Sequence, residues 1–131
     1  MATGTLLAGF FALACTMQDV TALGNLPVSE PHALSLVTRD GRGAVVGWAE
    51  IQGQDDVTLR RYDDGSIILS GTTFKDGGDE TWAVIQRIPG ATDYSMEWLM
   101  FDTIAKDGRR SGATWSKGRC ESLGATERAS Q

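Results

Sequence analysis

The chain has 131 residues, enough for one domain with a sizeable hydrophobic core. Its 12 basic residues against 17 acidic ones argue against nucleic-acid binding, which needs a basic footprint. One histidine and two cysteines leave too little material for a histidine-centred catalytic group or a structural zinc site.

The first 38 residues carry no lysine or arginine, and within them runs an apolar block from Leu6 to Ala14 that ends at Cys15. A secretory leader combines a basic n-region, a short apolar core and a small-x-small cleavage site. The block supplies the core, and Ala12-Leu13-Ala14 supplies the triplet directly before Cys15; the basic n-region is missing. A cysteine at that place is also where a bacterial lipoprotein is acylated, which makes Cys15 a candidate lipid anchor and the chain's one link to a membrane. The block is shorter than the roughly 20 apolar residues of a spanning helix. Residues 1–15 are therefore read as an apolar N-terminal segment, a signal peptide or lipoprotein leader, and residues 16–32 as a connector. The competing reading buries the block, either in the domain's own core or as an arm packed into a neighbouring subunit.

From Ala33 the pattern changes to short β-type runs separated by Asp-Gly and Gly-rich turns. Ala33–Thr38, Ala44–Ile51, Val57–Tyr62, Ile67–Phe74, Trp82–Ile88, Tyr94–Ile104 and Gly112–Trp115 are the predicted strands. Tyr62-Asp63-Asp64-Gly65-Ser66 is the clearest hairpin signal and suggests a type I′ turn; Arg39-Asp40-Gly41, Lys75–Asp79 and Lys106-Asp107-Gly108 repeat its chemistry. In Tyr94–Ile104 the residues Met96, Leu99, Met100 and Thr103 also fit helical spacing. A strand is favoured, because Met96, Trp98 and Met100 share one face and Glu97, Leu99 and Phe101 the other. The fold class expected is all-β: an antiparallel meander over residues 33–120, closed as a small barrel or folded as a β-sandwich, with a fraying polar tail at 121–131.

Little in these runs resembles catalytic chemistry. His32 is the sole imidazole and reads as an exposed connector residue. The carboxylate pairs Asp55/Asp56, Asp63/Asp64 and Asp79/Glu80 sit beside turns, where aspartate caps the backbone and stays solvated. Asp76-Gly77-Gly78-Asp79-Glu80 holds calcium-type oxygens without the spacing of an EF-hand loop. No cofactor fingerprint, phosphate-binding loop or metal-ligand pattern is present in the sequence. The expectation is a protein that is not an enzyme and uses neither cofactor nor metal. Trp48, Trp82, Trp98 and Trp115 fall on four different predicted strands and are read first as core, then as the aromatic wall of a mouth or cleft.

The charges are unevenly spread. Asp40–Ala105 holds 12 acidic and 5 basic residues, a net of −7, whereas Lys106–Arg119 holds 5 basic residues and one acid, a net of +4. Guanidinium groups, hydroxyls and a tryptophan make the second stretch the best candidate contact surface. Arg109, Arg110, Trp115, Lys117 and Arg119 are the residues assigned to a protein partner with an acidic surface. Cys15 and Cys120 either form one disulfide that closes nearly the whole chain, or stay apart, with Cys15 acylated or both thiols free. The functional expectation is a periplasmic, envelope or secreted binding module. The alternative is a structural subunit of an intracellular or virion assembly.

Within the basic stretch, Ser111-Gly112-Ala113 and Trp115-Ser116-Lys117-Gly118 resemble motifs of bacterial C-type lysozyme inhibitors of the envelope. In that family the two motifs lie further apart, with a strand between them. Here they are fused within eight residues and the rest of the chain matches nothing, so no family property is carried over.

Overall fold

The computed structural model describes residues 4–22, 30–46, 56–73, 79–101, 112–123 and 126–127. Among the described residues the chain forms strands and no helix: β1 (Thr5–Leu6), β2 (Gly9–Ala22), β3 (His32–Arg39), β4 (Arg42–Val46), β5 (Asp56–Arg61), β6 (Ile67–Thr73), β7 (Asp79–Arg87), β8 (Tyr94–Phe101), β9 (Ala113–Ser122) and β10 (Thr126–Glu127). Each strand from β2 to β9 pairs antiparallel with the next, and β9 returns to pair with β2. The result is a closed eight-stranded barrel, and the sandwich alternative falls. The short β1 adds to β5, and β10 to β2.

The register shows how the barrel closes. Following cross-strand partners from Phe11 through Thr38, Gly43, Val57, Gly71, Thr81, Met100 and Thr114 leads back to β2 at Ala22, eleven positions further along. One of those positions is taken up by an irregularity between Asp19 and Thr21. A stagger of this size tilts the strands by roughly 40° and leaves an interior that side chains can fill. Phe11, Leu13, Leu36, Leu59, Leu69 and Ile85 are fully buried there. Each such side chain contributes on the order of 1.5–3 kcal/mol. The alternation is apolar inward and mixed outward, the reverse of a membrane-spanning barrel, which faces lipid with its apolar residues.

The rim where β3, β5 and β7 end is made by short turns. Between β3 and β4, Asp40 (φ 50°) and Gly41 (φ 78°) both take positive φ, the two-residue type I′ arrangement. In the turn between β5 and β6 the Gly65 N–H donates to Tyr62 O, the Tyr62 N–H donates to Ser66 O, and Gly65 is the residue with positive φ (86°). That is a three-residue loop with the glycine closing it, not the type I′ turn expected from Asp64-Gly65. Ile88-Pro89-Gly90-Ala91 turns β7 into β8, with proline and then a positive-φ glycine at its centre and the Ala91 N–H donating to Ile88 O.

The predicted strands between Ala33 and Phe101 reappear within the described residues, with their ends shifted by a few positions. Tyr94–Phe101 is a strand with Tyr94, Met96 and Trp98 buried, so the helical spacing in that segment is incidental. At both ends of the chain strands lie outside the span 33–120 expected for the β domain. The apolar block and the first part of the connector belong to β1 and β2: Leu7, Phe11, Leu13, Cys15 and Met17 lie in the core, and β2 is a central strand between β3 and β9. The block is thus packed inside its own barrel. At the other end β9 runs on to Ser122, and Thr126–Glu127 pairs with Phe10 and Gly9, where a free tail was expected.

Candidate functional site

Three of the residues assigned to partner contact are described, and β9 displays all three. Its alternation turns Thr114, Ser116 and Cys120 inward and leaves Trp115, Lys117 and Arg119 exposed on the outer wall. Arg109 and Arg110, like Lys106, lie outside the described residues, as do Trp48 and Asp76-Gly77-Gly78. The two cations of β9 are held by acids of the adjoining chain. Lys117 Nζ lies 3.4 Å from Glu97 Oε1, its direct cross-strand partner, and 5.5 Å from the centre of the Trp115 ring. Arg119 Nη2 donates to Asp93 Oδ2 at 2.9 Å. Both pairs are solvent-exposed, so each contributes no more than about 1 kcal/mol and exchanges readily for another carboxylate.

The tryptophans divide between the two sides of the wall. Trp98 is buried in the interior, as the core reading expects. Trp82 and Trp115 face outward at 49% and 39% exposure, against the core expectation. They flank Leu99 in one row, because Trp82 pairs with Leu99 and Leu99 pairs with Trp115. With Ile68, Val84 and Glu97 they line a shallow groove of about 360 Å³ on the outside of β6–β9. Large aromatic side chains held in one row by adjacent strands make a rigid apolar platform, of the kind that anchors protein interfaces. Trp82 was singled out in the sequence, first as core and then as part of an aromatic wall, and Leu99 was placed on a strand face, but neither they nor Val84 were assigned to partner contact. Their outward parity could be assigned only once Met96 and Trp98 were known to point inward.

Cys15 and Cys120 are direct cross-strand partners and form a disulfide, with Cα atoms 3.9 Å apart. Both are buried, and Met96 Sδ lies 4.0 Å from each sulfur. The bridge ties the first long strand to the last one at the seam that closes the barrel. Acylation of Cys15 and this bridge exclude one another, and the structure holds the bridge. His32 opens β3 with its Nδ1 3.4 Å from Glu30 O. Asp64 accepts from the Ser66 hydroxyl and the Ser66 N–H, which together hold its carboxyl below the usual aspartate range. Among the described residues no group of three or more histidine, cysteine or acidic side chains is placed to hold a metal ion.

Comparison of the chain with protein-family models, with curated proteins and with solved structures finds no match.

Proposed function

We propose that the chain is a binding module that acts without turnover, engaging a protein partner with an acidic surface through the outer wall of β8–β9. The observation that carries this reading is the outward row Trp115, Lys117 and Arg119, continuous with the groove of Trp82 and Leu99 and placed next in the chain to the basic residues Lys106, Arg109 and Arg110. Aromatic side chains supply the apolar centre of such a contact and arginines its bidentate polar contacts. The exposed pairs with Glu97 and Asp93 keep the free surface soluble and cost little to exchange for a partner's carboxylates. The interior is filled by core side chains, so a ligand is offered the surface of the barrel in preference to its centre.

A periplasmic, envelope or secreted setting goes with this reading. The Cys15–Cys120 bridge supports it, since disulfides persist in oxidising compartments and are rare in the cytosol.

The test is capture of the partner from the native source at low and high salt, with wild type, Trp115→Ala and Arg109→Ala/Arg110→Ala. Both variants are expected to weaken capture, and salt to weaken it further, because exposed charges are screened over about 8 Å at physiological ionic strength. Capture indifferent to both variants and to salt would remove this wall as the contact surface. Thiol alkylation and intact mass of the natively produced protein test the compartment, with an unalkylated, unacylated chain expected.

A further inference from the structure

A second cationic surface lies on the side of the barrel away from the groove. The tight turn at Asp40-Gly41 sets Arg39 of β3 directly opposite Arg42 of β4, and both side chains are exposed. Residues opposite one another in an antiparallel pair sit only about 4.5–5.5 Å apart at Cα, and like charges there are destabilising. Arg42 pairs in turn with Thr58 of β5, and two positions further along β5 stands the exposed Arg60. Three guanidinium groups therefore share one patch of the outer wall.

No ion pair among the described residues neutralises the patch. Among the described residues Arg39 and Arg42 have no carboxylate in ion-pair reach, and Arg60 Nη1 reaches only a backbone oxygen, Gly4 O at 3.4 Å. Asp40 lies in the turn itself but turns its Oδ1 to the Gly9 N–H at 2.9 Å. This contrasts with β9, where Glu97 and Asp93 answer both cations. Exposed apolar side chains stand beside the arginines: Val37 (39% exposed), two positions before Arg39, and Leu6 (37% exposed), the cross-strand partner of Arg60. Arginine interleaved with exposed aliphatic residues is the composition of a protein contact surface.

We infer that Arg39, Arg42 and Arg60 form a docking surface for the carboxylates of an acidic protein partner, which relieve the repulsion between Arg39 and Arg42. This rests on the reading of the chain as a module for an acidic partner and adds to the β8–β9 wall a second electrostatic contact on β3–β5. Arginine suits the task because its planar fork takes a carboxylate through two parallel hydrogen bonds.

The experiment uses fluorescently labelled poly-L-glutamate as the acidic probe, with binding followed by anisotropy at low and high salt. The proteins are wild type, Arg39→Gln/Arg42→Gln and Lys117→Gln/Arg119→Gln. The expected result is salt-sensitive binding by wild type, weakened roughly fivefold or more by the first double substitution, with the second marking the separate share of the β9 wall. A thermal melt accompanies it: Arg42→Gln alone is expected to melt no lower than wild type, because it removes a like-charge pair. A clear fall in melting temperature would show that the arginines serve the fold and would overturn the inference. Binding that survives loss of Arg39 and Arg42 but fails without Lys117 and Arg119 would also overturn it, while leaving the proposed function intact. No binding by wild type at low salt would defeat both.

Discussion

Removing the Cys15–Cys120 bridge should destabilise the barrel chiefly through the unfolded chain. The two cysteines are 105 residues apart in sequence, and a cross-link over that separation removes loop-closure entropy equal to about 4.8 kcal/mol at 25 °C in the chain-entropy model. A 131-residue domain unfolds with an entropy near 0.28 kcal/mol/K, so the same figure corresponds to a fall in melting temperature of roughly 17 °C. In the folded protein β2 and β9 are already paired from Leu13 to Ala22, so the seam does not depend on the bridge for its geometry. Cys15→Ala/Cys120→Ala should therefore still fold to the same barrel. Most of its loss should appear as slower folding, because the longest-range pairing in the chain must then be found by diffusion. Thermal and denaturant melts of oxidised, reduced and doubly substituted protein, with stopped-flow folding and unfolding rates, would show this. Melting temperatures within about 3 °C of one another would refute the loop-closure argument, as would a loss carried wholly by faster unfolding.

Truncating the inward and outward tryptophans should separate core from surface. Trp98→Ala is expected to cost about 3–5 kcal/mol, and Trp82→Ala or Trp115→Ala no more than about 0.5 kcal/mol, measured by denaturant unfolding. Gly118→Ala should be among the most damaging small changes: a Cβ there would lie 2.1 Å from Thr16 O and 2.9 Å from Met17 Cα, so β9 would have to move off β2. Loss of the far-ultraviolet strand signal or a collapse in expression checks it, and a wild-type melt would contradict it. For Asp64 the folded-state pKa lies below the unfolded value of 3.8, so its bonds to Ser66 favour the folded state above that value and lose their effect as pH falls through the folded pKa. Ser66→Ala should raise the Asp64 pKa in a carboxyl nuclear magnetic resonance titration, and its stability deficit should be present at pH 7 and vanish in strong acid.

The strand count from β3 to β8 was legible because the turn chemistry is local. Asp40-Gly41, Gly65 and Pro89-Gly90 mark where the chain reverses, and the runs between them carry β-branched and aromatic residues. The strand β2 was not legible, for a physical reason. Its inward positions Phe11, Leu13, Cys15 and Met17 alternate with Phe10, Ala12 and Ala14, and alanine and phenylalanine do not read as polar, so the period of two disappears into a continuous apolar run. An apolar run ending in small-x-small and cysteine is also how a leader is written. Only the pairing of β2 with both β3 and β9 shows the block as the strand on which the barrel closes. The same ambiguity hid the groove: in β7 and β8 both faces carry apolar residues, so composition could not say which tryptophan points out.

Charge was the least legible property, because summing along the chain and summing across the sheet give different surfaces. Along the chain, Lys106–Arg119 is the basic stretch and Asp40–Ala105 the acidic body. Across the sheet, the register sets Lys117 against Glu97, and Arg119 finds Asp93 at the turn into β8, so the described part of the basic stretch is locally balanced. At the edge of the acidic body the two-residue turn does the opposite: it sets Arg39 on Arg42 while the intervening aspartate faces Gly9. A count along the chain splits that patch, since Arg39 falls outside the Asp40–Ala105 stretch while Arg42 and Arg60 fall inside it. At the short cross-strand spacing of a hairpin, a neighbour on the next strand outweighs charges further off than a Debye length of about 8 Å. The surface a partner meets is therefore set by register, and the arginines that no described acid answers are where opposite charge has most to gain.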